Sequence, residues 1–138
     1  VLLSKEAALG RIAILTAGRA AEETVFQSIT TGAADDIEKA TKLARAMVTR
    51  FGMSERLGMM KLETGGNYLS ADGTMTCSPE TASLIDHEVK SIISGQYEEA
   101  KRVLRENIDK LHALAKHLLE KETLTREEFM HLLAAPAA

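Results

Sequence analysis

Apolar residues recur every third or fourth position along most of this chain, and short polar stretches punctuate the pattern. Residues 5–26 predict a first helix. Leu9, Ile12, Ala13, Ile14, Leu15, Ala17, Ala20 and Ala21 spread round much of its circumference, as in a helix buried among others. Ala17, Gly18, Ala20 and Ala21 are small enough to admit another backbone. Gly18 costs about 1 kcal/mol relative to alanine inside a helix, and close packing would offset that. Residues 27–34 read as a polar connection. A second amphipathic helix follows, with Ile37, Ala40, Ala44, Met47, Val48 and Phe51 on its buried face. Lys39, Lys42, Arg45 and Arg50 fall in water or at its edge. Acidic residues crowd its first turn and Gly52 follows its last.

Residues 53–77 lose the helical period. Gly58, Gly65, Gly66 and Gly73 are turn residues, and apolar runs at 59–62 and 67–69 predict a short β-hairpin between residues 59 and 70. Ser78-Pro79-Glu80 is a helix start, a serine cap with proline at the first helical position. The pattern then runs through Ile85, Val89, Ile92, Ile93, Ala100, Val103 and Leu104, and on through Ile108, Leu111, Ala115 and Leu118. One helix over 79–121 would be long for a globular domain. Asn107 and Asp109 can cap, so a break near 106–109 is expected. Thr125-Arg126-Glu127-Glu128 is a capping box opening a last short helix. The expected fold is all-α, about five helices with one short hairpin, as a single domain over residues 1–138.

Composition narrows the function classes. The 138 residues suffice for a core, and the net charge of −3 with interleaved signs argues against a nucleic-acid binder. There is no tryptophan to stack on bases. Cys77 is the only cysteine, which excludes an internal disulfide. No run reaches the roughly 18 apolar residues of a membrane helix, and no signal peptide is present, so this segment is expected to be soluble and to make no membrane contact.

The chemistry centres on two adjacent carboxylates. At roughly 100° per residue, Asp36 falls in line with Ala40, Leu43 and Met47, at or inside the apolar stripe. Asp35 falls on the opposite side, above Lys39 and Lys42. A helix N-terminus offers a surface carboxylate about 0.3–1 kcal/mol. Burying an unpaired charge costs several kcal/mol, so the terminus alone does not cover it. Either Asp36 accepts first-turn N–H groups and stays partly wet, or it faces a cation, for which a metal is the candidate.

Gly18-Arg19-Ala20-Ala21-Glu22-Glu23, then Thr31-Gly32-Ala33-Ala34-Asp35-Asp36-Ile37, then Ala40-Thr41, Ala44-Arg45, Met47-Val48 and Phe51-Gly52-Met53-Ser54 resemble the peptidase domain of the FtsH family. The resemblance runs in order from Leu9 to about Leu133. It implies a membrane-anchored, ATP-dependent zinc metalloprotease. In that family two histidines of a His-Glu-x-x-His helix and an aspartate from a second helix hold zinc, and the matching aspartate is Asp36. One of Glu22 and Glu23, with Glu23 preferred, matches a carboxylate that orients a zinc-bound histidine, the other being a solvated helix end. The family's usual Gly-Gly is here Ala17-Gly18, and its usual asparagine before the ligand is Asp35.

The first half of that site is not in the sequence. His87, His112, His117 and His131 are the four histidines, and none forms His-Glu-x-x-His. His112 and His117 are five apart and do not share a helix face as ligands at i and i+4 would. The expectation is therefore the C-terminal part of a peptidase domain, with no catalytic residue in this chain and no substrate-binding residue assigned. The resemblance further implies zinc held together with the upstream histidines, ATP bound by a separate module and a homo-hexamer. It implies unfolded or membrane proteins as substrates and a place on the cytoplasmic side of a membrane, a bacterial inner membrane or its organelle equivalent. The alternative is a non-enzymatic helical interaction or oligomerisation module, a degenerate relative.

Overall fold

The computed structural model describes residues 2–64, 74–75, 77–121 and 126–134. They form two compact units, residues 1–101 and 102–138. Helices α1 (Lys5–Ala21), α2 (Ala34–Thr49), α3 (Pro79–Glu106), α4 (Ile108–Lys121) and α5 (Arg126–Ala134) account for most of the described chain, so the mainly helical expectation holds.

Each helix boundary has a local cause. Ser4 caps α1, its hydroxyl accepting from the Ala7 N–H at 3.0 Å. Ser78 does the same for α3, accepting from Thr81 N–H at 3.2 Å ahead of Pro79. α2 ends where Gly52 turns left-handed, with φ +60°. The Met53 N–H then reaches back to the Met47 carbonyl at 2.9 Å, satisfying one of the carbonyls left open at the helix end. The expected break between the long helices falls at Asn107. Its side-chain amide donates to the Val103 carbonyl at 2.8 Å, while its own carbonyl accepts from Leu111 N–H at 3.0 Å to open α4.

The core of the first unit joins Ala8 and Ile12 of α1, Ala40, Leu43, Ala44, Met47 and Val48 of α2, Leu62, and Ile85 and Val89 of α3. Two threonines are buried with it. Thr16 donates its hydroxyl to the Ile12 carbonyl at 3.0 Å, and Thr49 donates to the Arg45 carbonyl at 2.8 Å. Neither hydroxyl needs water.

Three expectations are corrected in detail. Phe51 is 45 % exposed, because α2 ends at Thr49 and the chain has already left the helical period. α1 buries one face only, Ala8, Ile12, Thr16 and Ala20, while Ile14 is 76 % exposed and Gly18 looks into open space. The hairpin forms later than the apolar runs suggest: β1 (Glu63–Thr64) pairs antiparallel with β2 (Thr74–Met75), Glu63 opposite Met75. Met59 and Met60 are exposed instead of pairing, and Leu62 is held in the core by its N–H to the Thr49 carbonyl at 2.7 Å. Residues 67–69 and the capping Thr125 lie outside the described residues.

Candidate functional site

α1 does not end in a simple cap. Its last turn widens into a π-helix over Glu22–Phe26, and Gln27 then turns left-handed with φ 52°. Single π-turns of this kind often mark functional sites. Thr30 caps a 3₁₀ turn over Thr31–Ala33, which leads directly into α2. The start of α2 is therefore carried by a short exposed loop.

The two aspartates separate as helix geometry predicts. Asp35 is largely exposed and pairs with Lys39 at 3.1 Å. That hydrogen bond, with a smaller pull from Asp36, raises the pKa of the Lys39 amine. Asp36 is half-buried above Ala40, Leu43 and Met47, all at most 2 % exposed. Among the described residues no N–H donates to its carboxylate and no cation pairs with it. The carboxylates nearby in the sequence are committed elsewhere. Glu38 pairs with Lys42 at 3.2 Å, Glu22 binds Thr30, and Glu23 binds Tyr97 and Lys101. Asp36 is thus a half-buried, uncommitted oxygen donor, the chemistry of one ligand to a divalent ion.

Glu22 and Glu23 both have protein partners, so neither is a merely solvated helix end. Glu22 accepts from the Thr30 N–H at 2.9 Å and from the Thr30 hydroxyl at 2.7 Å, and Arg19 lies alongside at 3.9 Å. These hydrogen bonds, the side-chain one foremost, hold the Glu22 carboxyl below its ordinary pKa. Glu23 accepts from the Tyr97 hydroxyl and pairs with Lys101 at 3.5 Å, and the Lys101 amine lies 4.8 Å from the centre of the Tyr97 ring. An open pocket of about 300 Å³ adjoins this network, lined by Thr16, Arg19, Glu23, Ile37, Ile93 and Tyr97 among others. Sequence reasoning missed Arg19, Thr30, Tyr97 and Lys101. The i, i+3 spacing of Arg19 and Glu22 was the only local signal, because Tyr97 and Lys101 are distant in the chain.

Burial, with Glu23 second, pushes the Tyr97 phenol up to about 12 from an ordinary 10.0. A raised pKa means the contribution to stability is complete below the ordinary value and is lost as pH rises through about 12. In an alkaline titration followed by phenolate absorbance, one of the two tyrosines should therefore ionise late, and Tyr97→Phe should remove that late step. A single step near 10.0 for both tyrosines would contradict the buried contact.

No group of three His, Cys, Asp or Glu side chains that could hold a metal exists among the described residues. His87, His112 and His131 are exposed and His117 is half-buried, and none joins Asp36 in such a group. No described helix is long and apolar enough to cross a membrane.

Comparison with known proteins gives the family. The sequence is 49 % identical over 133 residues to an ATP-dependent zinc metalloprotease FtsH of Lancefieldella parvula, covering 96 % of this chain and 21 % of the relative. It is 46 % identical over 133 residues to a protein of the same name from Clostridium perfringens, covering 96 % and 18 %. A third, from Caldicellulosiruptor bescii, is 47 % identical over 134 residues, covering 94 % and 22 %. The chain therefore spans about a fifth of the length of these relatives. The profile of peptidase family M41 matches residues 1–132, and with these identities it shows that the chain belongs to peptidase family M41.

Proposed function

We propose that the chain is the C-terminal part of the peptidase domain of an ATP-dependent zinc metalloendopeptidase, and that Asp36 is its third zinc ligand. The observation that carries this is the uncommitted carboxylate of Asp36, half-buried in line with the α2 core stripe while its acidic neighbours are paired. The names of the relatives support the activity and the metal. Two histidines of a His-Glu-x-x-His helix, supplied from sequence outside these 138 residues, would complete the set of three protein ligands. Zinc, when bound, supplies an activated water for attack on a peptide carbonyl.

This chain's own contribution is positional. α2 carries Asp36 on a helix whose inner face is fixed in the core, so its carboxylate is held by a rigid element. ATP would be bound by a module outside this segment. Unfolded or membrane proteins as substrates, a hexameric ring and a site on the cytoplasmic side of a membrane belong to the same proposal for the whole protein. A non-enzymatic helical module is not favoured, given identities near one half to proteins named as proteases.

The test compares two proteins. The 138-residue chain alone should not cleave casein and should retain no stoichiometric zinc after dialysis. A longer gene product carrying an upstream His-Glu-x-x-His should cleave casein, lose activity to a chelator and regain it with zinc. Stoichiometric zinc on the chain alone, or a longer product that cleaves without metal, would overturn the assignment.

A further inference from the structure

We propose that Thr30, gripped by Glu22 and Arg19, is a positioning residue that sets where Asp36 sits, an inference that rests on Asp36 being a zinc ligand. Every polar group of Thr30 is engaged. Its N–H and hydroxyl donate to the two carboxylate oxygens of Glu22 at 2.9 and 2.7 Å, and its carbonyl accepts from an Arg19 guanidinium N–H at 3.1 Å. Its hydroxyl oxygen also accepts from the Gly32 N–H at 3.2 Å, capping the 3₁₀ turn. One side chain therefore joins the end of α1 to the turn that opens α2.

The grip matters because burial does not hold this loop. Residues 26–32 are all exposed, Ile29 at 60 %, and the first buried side chain after the π-helix is Ala33. Five residues separate Thr30 from Asp36, and they run through the 3₁₀ turn and the first turn of α2 without a flexible break. A shift at Thr30 is therefore passed to Asp36. A Cβ on Gly32 would lie in ordinary contact with the grip, 3.4 Å from the Thr30 hydroxyl and 3.6 Å from Glu22, so the turn runs beside it. The π-turn lets adjacent acids serve different elements. Glu23 is held to α3 by Tyr97 and Lys101, which steadies the backbone from which Glu22 reaches the loop.

Thr30→Val removes the hydroxyl and keeps the shape, and Thr30→Ser restores the hydroxyl. In the 138-residue chain, Thr30→Val should speed hydrogen exchange at the Thr30 and Gly32 amides about tenfold with helicity unchanged, and Thr30→Ser should not. In the zinc-loaded full-length protease, chelator competition should show the zinc Kd rising about tenfold for Thr30→Val and recovering in Thr30→Ser, in the range for groups that support metal ligands. A zinc Kd within twofold of the parent in Thr30→Val, or a Thr30→Ser variant as weak as Thr30→Val, overturns the positioning role. Asp36→Asn is run beside them. If it leaves the zinc Kd unchanged, the ligand reading fails and the positioning role falls with it. If Asp36→Asn loses zinc and Thr30→Val does not, the ligand stands and only the positioning role is lost.

Discussion

In the longer protease of the proposed assignment, Asp36→Asn should lower zinc retention and casein cleavage by at least about a hundredfold, whereas Asp35→Asn should leave both within about twofold. The substitution is nearly isosteric, so its effect comes from losing an anionic oxygen. Asp36 lies half-buried on the core side of α2 and makes no hydrogen bond or ion pair among the described residues. Asp35 is about three-quarters exposed and pairs with Lys39 at 3.1 Å, a surface ion pair one turn apart. Such pairs are worth about 0.3–0.5 kcal/mol. ATP hydrolysis, which the proposed assignment places on a separate module, should persist in both variants. Equal losses from the two substitutions would show that neither is a ligand. Inactivation by Asp35→Asn alone would show that the wrong face of α2 has been assigned.

The second large effect is on stability and involves α2 again. Met47→Ala costs about 2–5 kcal/mol, because Met47 is 1 % exposed within the core cluster that also holds Ile12 and Ile85, and its loss leaves a cavity behind. Phe51→Ala costs no more than about 1 kcal/mol, since the ring is 45 % exposed beyond the helix end. Denaturant midpoints of the two variants, measured with circular dichroism, separate the two positions. If Phe51→Ala proved as costly as Met47→Ala, the α2 stripe would extend through Gly52 and the boundary at Thr49 would be wrong.

How far the sequence reached depended on whether the cause was local. The starts at Ser78 and Pro79, the stop at Gly52 and the break at Asn107 each rest on residues within six positions, and each is legible in order along the chain. The same holds for Asp35 and Asp36, whose separation needs only the helical angle. The hairpin register was not legible, because Leu62 is fixed by a hydrogen bond to Thr49 that no periodicity announces. Nor was the π-turn, which alters the period at the point where Glu22 and Glu23 choose their partners. The exposure of Ile14 was hidden for a third reason. Periodicity tells which residues are apolar, while burial depends on whether a neighbour arrives to cover them.

Thr16 and Thr49 carry a consequence for how such a chain can be encoded. Both are fully inside, at 3 % and 0 % exposure, yet a two-letter alphabet of hydrophobic and polar residues writes them as polar. Because each hydroxyl returns to a carbonyl of its own helix, the outward surface it offers to the core is a methyl group and a Cβ. The alphabet that describes this core is therefore larger than hydropathy allows. A library that restricts its interior positions to aliphatic residues would exclude the native sequence at two of its most buried sites.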